Sequence, residues 1–270
     1  MPKYQILLTN DDGIPSPGLW AAAQALSALG YVHVAAPMQQ FSGAGRSLSG
    51  QFDGRIERRM VEVSGQQWPV YAIDATPAGT VQHAILEVLD SPPDLLVTGI
   101  NYGENPGSGV TVSGTIGAAL EGAAFGVPAL AVSLETEPRH HYSYSDEVDF
   151  TAAAAITAHL AGLLLGRRLP FDVDVLKVEI PCEAGPDTPW RLARLSRGRY
   201  FELLRPQRHA PYSPGRIGYR LRDDFSDEPT DSDAHVLKVQ RLVAVTPLSL
   251  DLTSRIDMAA FERELRAAHP

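Results

Sequence analysis

Residues 6–13 read Ile-Leu-Leu-Thr-Asn-Asp-Asp-Gly, an aliphatic run that ends in two adjacent carboxylates, Asp11 and Asp12. A continuous apolar run of this kind is typical of a parallel strand that is buried on both faces of a sheet. In open α/β sheets, the carboxyl ends of the strands form the edge at which ligands bind. Two neighbouring carboxylates repel each other unless a positive charge lies close to both. The stretch therefore predicts a buried strand and indicates a metal ion at its end.

The composition of the chain limits the classes of protein to which it can belong. Its 270 residues can bury a large core, and 23 basic against 32 acidic side chains give a net charge of −9, which argues against a nucleic-acid partner. A single cysteine, Cys182, excludes an intrachain disulfide and fits a reducing compartment. A strand predicted from residue 5 leaves no room for a signal peptide. The apolar stretch at 150–165 is short for a bilayer. We therefore expect a cytoplasmic protein without a membrane partner.

Strand-like and helix-like patterns alternate along the first half of the chain. Strands are predicted over residues 5–9, 31–36, 94–100, 127–134 and 174–180, with helices that begin after Ser16, Thr76 and Ser113 and a further helix over 148–165. Short polar strands or a hairpin are predicted at about 46–75. This alternation predicts an α/β fold, with a Rossmann-like, doubly wound and mostly parallel sheet.

The pattern weakens after residue 135. Residues 182–235 carry many Pro, Arg and Asp residues with little periodicity, and they are too long for an ordinary loop. We expect them to be functional, extended or packed on a partner subunit. Residues 234–245 are predicted as a strand and residues 258–268 as a terminal helix. These patterns divide the chain into a Rossmann-like core over 1–181 and a C-terminal extension or oligomerisation arm over 182–270, which returns to the core at about 234–270.

Polar residues follow several of the predicted strands. They are Asp11 and Asp12, Ser42 in a glycine-rich loop, Asn101, and the turn at 113–115, which reads Ser-Gly-Thr. The carboxyl ends of parallel strands share one edge of the sheet, so these residues can converge. Two carboxylates, a hydroxyl and an amide carbonyl are oxygen ligands that suit Mg²⁺ or Mn²⁺. A helix that begins Ser-Gly-Thr also presents free N–H groups to an anion, so the set indicates a site that handles phosphate.

Each of these features also has a structural alternative. The Asn-Asp-Asp-Gly run is common turn chemistry, and Ser42 can be a turn hydroxyl. Asn101 can bond to nearby backbone, and Ser113 can be a helix N-cap. Rival motifs are absent from the sequence: it has no GxxxxGK[ST] loop, no GxGxxG after the first strand and no GxSxG elbow. The His-His pair at 140–141 lies in a polar loop and is assigned no role.

Four ordered blocks of the chain resemble the SurE family of stationary-phase survival proteins. They are residues 6–13, residues 36–45 (Ala-Pro, then Ser-Gly-Ala-Gly), residues 98–105 (Thr-Gly-Ile-Asn-Tyr-Gly-Glu-Asn) and residues 113–122 (Ser-Gly-Thr-Ile-Gly-Ala-Ala-Leu-Glu-Gly), with a further match over 246–253. The resemblance implies a metal-dependent 5'/3'-nucleotidase that acts on nucleoside monophosphates with one divalent cation, Mg²⁺ or Mn²⁺, per subunit. It also implies a C-terminal extension that exchanges between the subunits of a homodimer or homotetramer.

The resemblance also implies roles for individual residues. The metal ligands are Asp11, Asp12, Ser42 and Asn101, and the two aspartates are the catalytic residues. Metal-activated water is the nucleophile, and one of the two aspartates is a candidate acceptor for its proton. The predicted phosphate and substrate contacts are Asn10, Gly43, Asn105, Ser113, Gly114 and Thr115.

The chain departs from the family pattern at three places. Residues 75–80 read Ala-Thr-Pro-Ala-Gly-Thr where the family has Gly-Thr-Pro and then Asp-Cys, Val112 replaces a common tyrosine, and Lys177 or Glu179 replaces an asparagine. None of these changes removes a predicted metal ligand, but they bear on the choice of substrate. Two alternatives therefore stay open: a broad-specificity acid phosphatase or exopolyphosphatase, and a non-catalytic nucleotide-binding sensor.

Overall fold

A computed structural model describes residues 4–63 and 65–267 of the chain. The strands are β1 (Tyr4–Thr9), β2 (Gly30–Pro37), β3 (Ile56–Val63), β4 (Gln66–Ile73), β5 (Leu95–Tyr102), β6 (Ala129–Leu134), β7 (Val175–Ile180), β8 (Trp190–Leu192), β9 (Phe201–Leu204), β10 (Gly218–Leu221) and β11 (Val243–Leu248). The helices are α1 (Pro17–Leu26), α2 (Pro77–His83), α3 (Gly114–Ala124), α4 (Thr151–Leu164), α5 (Asp233–Lys238) and α6 (Met258–Ala267).

Nine strands form one central sheet in the order β3-β4-β2-β1-β5-β6-β7-β11-β8, while β9 and β10 pair separately. The strands from β4 to β7 run parallel, and the antiparallel pairs of the sheet are β3 with β4 and β7 with β11. This arrangement confirms the predicted α/β fold with a mostly parallel sheet. The hairpin expected at about 46–75 contains β3 and β4.

The aliphatic residues of β1 explain why helices cover both faces of the sheet. Successive side chains of a strand point to opposite faces. Ile6 and Leu8 therefore pack into the cluster that contains α1 and α4, and Leu7 packs into the cluster that contains α2 and α3. All three side chains are completely buried. Fully burying side chains of this size stabilises the fold by about 1.5–3 kcal/mol each.

A glycine near the end of β5 shapes the edge of the sheet. Gly99 has φ +125°, and a Cβ there would lie 2.3 Å from the carbonyl oxygen of Val132 in β6. Only glycine fits this backbone conformation and this close approach. The register between the two strands shifts between Thr98 and Asn101. The irregularity places Asn101 at the carboxyl edge, close to the end of β1.

The strand predicted over 234–245 is wrong for its first part. Residues Asp233–Lys238 form α5, and the strand, β11, begins only at Val243. The Ser232 hydroxyl accepts the N–H of His235 at 3.2 Å and caps the helix. Asp233, Val236 and Leu237 are buried together at helical spacing. The sequence contains both the cap and the buried face, but a short apolar run fits the period of a strand as well as that of a helix.

Helices α4 and α6 lie close to their predicted positions in the sequence. The helix expected over 148–165 is α4, Thr151–Leu164. The helix expected over 258–268 is α6, Met258–Ala267, and residue 268 lies outside the described residues. No residue of α6 is buried. Among the described residues, no helix has the length and apolar character needed to cross a membrane.

Candidate active site

A cavity of about 750 Å³ lies at the carboxyl edge of the sheet. Six of the predicted site residues line it: Asp11, Ser42, Gly43, Asn101, Asn105 and Ser113. The predicted residues Asn10, Asp12, Gly114 and Thr115 are not in its lining. The structure therefore brings together residues from the ends of β1 and β5, the loop after β2 and the start of α3.

Asp11 is held by the N-terminus of α3. The Thr115 hydroxyl donates to Asp11 Oδ1 and orients the carboxylate at the cavity. Burial raises the pKa of Asp11 to about 6, although the Thr115 hydroxyl and the backbone amides of Thr115 and Gly114 act to lower it. A Cβ at Gly114 would lie 2.7 Å from the Cβ of Asp11, so only glycine allows the helix to come this close. The helix N-terminus adds a favourable partial positive charge.

Asp12 lies outside the cavity lining, and its carboxylate accepts two hydrogen bonds. Its Oδ2 accepts the backbone N–H of Tyr102 at 3.2 Å, and its Oδ1 accepts Nε2 of Gln40 at 2.9 Å. Burial, followed by the charge of Asp11, raises the pKa of Asp12 well above its ordinary value. Asp11 and Asp12 are 5% and 2% exposed, and no basic side chain in the described part of the chain forms an ion pair with either. Two buried carboxylates without a cationic partner fit a divalent cation.

Asn101 and Ser42 can complete a set of oxygen ligands. Asn101 Nδ2 donates to the Gly103 carbonyl at 2.6 Å, which orients the amide and leaves its Oδ1 without a hydrogen bond from the described residues. The Ser42 side chain is exposed at the rim. Its loop is fixed against α3, because a Cβ at Gly117 would lie only 2.2 Å from the Gly45 carbonyl oxygen. The donor types are therefore those that Mg²⁺ and Mn²⁺ prefer.

Two of the predicted contacts have structural partners of their own. Asn10 is fully buried, and its side chain exchanges two hydrogen bonds of 3.1 Å with the backbone of Gly13. The Ser113 hydroxyl accepts the N–H of Ile116 at 3.3 Å as the N-cap of α3. Asn10 thus shapes the turn after β1, and Ser113 begins the helix that holds Asp11. These are the structural alternatives that the sequence left open.

Hydrogen bonds hold both the backbone and the side chain of Asn105. Its backbone N–H donates to Glu179 Oε2 at 2.9 Å, and its carbonyl accepts Lys177 Nζ at 3.3 Å. Its side-chain Nδ2 donates to Ser133 Oγ at 3.2 Å. Both charged partners lie on β7, at the positions where the chain departs from the family pattern. The orientation of Asn105 in the cavity therefore depends on a pair of buried charges beneath it.

A third charge, Asp233 of α5, completes this buried network. Lys177 Nζ lies 3.0 Å from Glu179 Oε1 and 2.8 Å from Asp233 Oδ2. Burial lowers the pKa of Lys177, but the two carboxylates outweigh burial and raise it above its ordinary value. Burial alone would raise the pKa of Asp233, but the Lys177 charge and several hydrogen bonds lower it. Burial raises the pKa of Glu179 despite the nearby Lys177 charge, so Lys177 and Asp233 are the members that are charged at neutral pH.

The loop after β6 packs against the residues of the site. Gln40 Nε2, which holds Asp12, also donates to the His141 carbonyl at 2.7 Å. The Tyr144 hydroxyl donates to the Asp12 carbonyl at 2.7 Å. His141 lines the cavity, and burial lowers its pKa, so its imidazole is neutral at pH 7. These contacts join residues far apart in sequence, and no motif marks them.

A second acidic group lies away from the cavity and is already neutralised. Glu135, Cys182 and Glu183 are close enough to share a metal ion. Arg241 pairs with both carboxylates, at 2.6 Å from Glu135, and Lys238 also pairs with Glu135. Burial raises the pKa of the Cys182 thiol to about 11. The group therefore acts as an ion-pair cluster between the end of β7 and α5, and the unpaired carboxylates at the cavity suit a cation better.

Comparisons with known proteins show which family the chain is similar to. The family model described as Survival protein SurE matches residues 6–202. A 5'-nucleotidase SurE from Thermococcus gammatolerans is 42% identical over 265 residues, which cover 97% of this chain and 96% of that protein. A 5'-nucleotidase SurE from Thermococcus kodakarensis is 39% identical, with 97% and 99% covered. The crystal structure of a SurE protein from Aquifex aeolicus aligns with a TM-score of 0.76 at 29% identity, covering 97% of this chain and 99% of that one.

Proposed function

This chain belongs to the SurE family and is a nucleotidase, and we propose that it releases phosphate from nucleoside 5'- and 3'-monophosphates with one Mg²⁺ or Mn²⁺ ion per subunit. The observation that carries the metal dependence is the pair of buried carboxylates, Asp11 and Asp12, which have no basic partner among the described residues. The Asp11 carboxylate, Ser42 and Asn101 Oδ1 supply the cavity oxygens that would hold the ion, with Asp12 outside the cavity lining. A bound divalent cation supplies charge stabilisation at the phosphoryl oxygens and acidifies a bound water.

The residues of the chain position the reacting groups. In the reaction, a water oxygen bonds to phosphorus, the ester P–O bond breaks, and the proton from the water leaves with the ribose oxygen. One of the two aspartates, Asp11 or Asp12, is the candidate to receive that proton before it passes to the ribose oxygen. Asn105 and the start of α3 stabilise the negative charge on the transferred group. Gly43 allows the loop backbone at the cavity to approach the phosphate.

An assay of phosphate release tests this function. Wild-type protein is incubated with nucleoside 5'- and 3'-monophosphates in EDTA, Mg²⁺ or Mn²⁺. We expect phosphate release only when metal is added. Asp11→Asn should lose this activity but keep the melting temperature and circular dichroism spectrum of the wild type, which shows that it is folded. Asp187→Asn, which neutralises an exposed carboxylate outside the cavity lining, is the matched control. Undiminished activity in Asp11→Asn or in EDTA overturns the proposal.

The same panel separates the alternatives. Equal rates on unrelated phosphomonoesters and short polyphosphate would indicate a broad-specificity phosphatase, and nucleotide binding without turnover would indicate a sensor. The 75–80 segment, which motivated the sensor hypothesis, is a regular helix start. Thr76 caps α2 by accepting the Gly79 N–H at 3.0 Å, and its hydroxyl donates to the Ser47 carbonyl at 2.6 Å. Thr76, which the family pattern shares, therefore supports the loop that contains Ser42.

We also propose that the C-terminal extension exchanges between the subunits of a homodimer or homotetramer. The segment before α6 and α6 itself leave large apolar side chains exposed, among them Leu252, Met258 and Leu265 at 88%, 59% and 55%. A contiguous exposed apolar face of this kind is typical of an interface. Light scattering with size-exclusion chromatography is expected to give at least a dimer. A compact monomer at micromolar concentration would contradict the exchange.

A further inference from the structure

The cavity continues beyond the proposed phosphate site to residues that the hydrolysis does not use. Arg197, Arg199, Phe201 and Tyr219 line this second part. They lie on β9, on β10 and on the segment before β9. Residues 190–222 contain nine arginines and a single carboxylate, Glu202, although the whole chain has a net charge of −9. One wall of the cavity is therefore locally basic.

Arg197 and Arg199 differ from the other arginines near them. Arg194 pairs with Asp231 at 2.8 Å, Arg220 with Glu202 at 2.7 Å and Arg222 with Glu228 at 2.9 Å. Over residues 4–63 and 65–267, no carboxylate forms an ion pair within 4.0 Å of Arg197 or Arg199. A guanidinium stays charged at any physiological pH and is well shaped to bind a phosphate with two hydrogen bonds. Two such groups in one cavity wall attract an anion.

The backbone that carries these arginines is anchored to the loop of the proposed phosphate site. Ser108 N–H donates to the Gly198 carbonyl at 3.2 Å, directly between the two arginines. Asp233 accepts the Gly107 N–H at 2.9 Å with one oxygen and the Ser196 N–H at 2.8 Å with the other. The two walls are therefore held at a fixed separation by one buried carboxylate. This anchoring makes the arginines part of the site.

An aromatic surface lines the same part of the cavity. The rings of Phe201 and Tyr219 meet edge to face with centroids 5.2 Å apart. His141 lies nearly parallel to Tyr219, at 13°, and its Nδ1 is 3.0 Å from the Tyr219 hydroxyl. Flat aromatic surfaces accept nucleobases by stacking, largely regardless of which base is present. The cavity thus offers a place for a base as well as a second place for an anion.

We propose that Arg197 and Arg199 bind a second phosphate of the substrate, so that the preferred substrate class is a nucleoside with two phosphates, such as a nucleoside 3',5'-bisphosphate. This proposal rests on the proposed function, since the first phosphate occupies the hydrolytic site. The phosphate that is released and the one that is held are then different groups. The two arginines act on binding and leave the chemical step unchanged.

Steady-state kinetics on adenosine 5'-monophosphate and adenosine 3',5'-bisphosphate test the proposal. For the wild-type protein with Mn²⁺ we expect a KM for the bisphosphate at least about tenfold lower, because charge-assisted hydrogen bonds to phosphate are worth this much. In Arg197→Gln/Arg199→Gln the two KM values should become similar through a rise in the bisphosphate KM alone, with kcat unchanged. Arg205→Gln/Arg216→Gln, a matched loss of charge outside the cavity lining, should keep the preference.

Other outcomes overturn the proposal in distinguishable ways. Equal KM values in the wild type, or an equal rise for both substrates in the variant, would exclude a second-phosphate site while leaving the nucleotidase function intact. If short polyphosphate is preferred as strongly as the bisphosphate, the site recognises negative charge and not a nucleoside with two phosphates. If neither nucleotide is hydrolysed, the proposed function fails. Displacement of a fluorescent adenosine monophosphate analogue by the two nucleotides then decides whether the bisphosphate binds more tightly.

Discussion

The ammonium of Lys177 lies 2.8 Å from the carboxylate of Asp233, so β7 and α5 are joined by an ion pair in which the side chains are 1% and 0% exposed. Asp233 belongs to the C-terminal extension, and Lys177 to the central sheet. The pair connects the two parts beneath the loop that contains Asn105. Its formation therefore links the fold of the extension to the shape of the cavity.

Lys177→Met should destabilise the protein strongly. The substitution leaves Glu179 and Asp233 buried without a countercharge, and removing one partner of a buried pair costs about 3–5 kcal/mol. Urea unfolding followed by circular dichroism measures the loss. Arg220→Met removes an arginine from an exposed pair with Glu202 and should change stability by no more than about 1 kcal/mol. Similar losses in the two variants would show that the buried network does not stabilise the fold.

Thr115→Val should weaken metal binding without unfolding the protein. The hydroxyl that orients Asp11 is lost, and removing a group that holds a metal ligand costs about 10–100-fold in affinity. Isothermal titration with Mn²⁺ measures this change, and Thr115→Ser should restore most of the affinity. Thr157→Val removes a buried hydroxyl that bonds within α4 and serves as the control. Unchanged Mn²⁺ affinity in Thr115→Val would argue against Asp11 as a ligand.

Gly117→Ala should displace the loop that contains Ser42. The added Cβ would lie 2.2 Å from the Gly45 carbonyl oxygen, which cannot yield without moving the backbone. We expect a loss of about 1–3 kcal/mol in stability and a fall of at least tenfold in kcat/KM. Gly185→Ala, where a Cβ meets nothing within 4 Å, is the matched control. Retention of full activity in Gly117→Ala would show that the loop position does not matter.

Glu104→Gln should change how stability depends on pH. Burial raises the pKa of Glu104 from its ordinary value of 4.5 to about 7, and the charges of Glu135 and Glu179 act in the same direction. The folded state then holds its proton more tightly than the unfolded state, so the wild type loses stability as pH rises from 4.5 to 7. Glutamine carries no such proton. The stability of the variant relative to wild type should therefore rise across this range by up to roughly 3 kcal/mol.

Chemical unfolding at a series of pH values measures this difference. Glu183→Gln is the control. The hydrogen bond from Arg241 outweighs the effect of burial and lowers the pKa of Glu183 to about 2. Glu183 is ionised in both states over most of the range from pH 4.5 to 7, so its removal should add little pH dependence there. A constant difference for Glu104→Gln would mean that Glu104 is not protonated in the folded protein.

Local patterns in the sequence predict most of the core. The aliphatic run of β1, the proline that follows the cap of α1 and the Ser-Gly-Thr start of α3 each determine their own element, because the signal lies within a few residues. The predicted strand over 234–245 failed because an apolar run can be read with either period. For the site, residues that directly follow strands, such as Asp11 and Asn101, could be found in this way.

The rest of the site depends on contacts between distant segments. Tyr144 bonds to the backbone of Asp12, which lies 132 residues away in the sequence. Arg197 comes from a segment with little periodicity. The His-His pair had no motif to mark it, yet His141 lines the cavity. Tertiary packing decides which polar side chains of such loops face a common space. A single sequence contains no local signal of that packing.

The central place of β1 has a consequence for the order in which the protein is made. The strand that leads to Asp11 is synthesised before both of its partners in the sheet, β2 on one side and β5 on the other. Its partner β5 begins at Leu95, and the helix that holds Asp11 ends only at Ala124. A nascent chain that stops before α3 therefore carries the two aspartates without the threonine that orients them. The arrangement that orients Asp11 can therefore form only after the start of α3 has been synthesised.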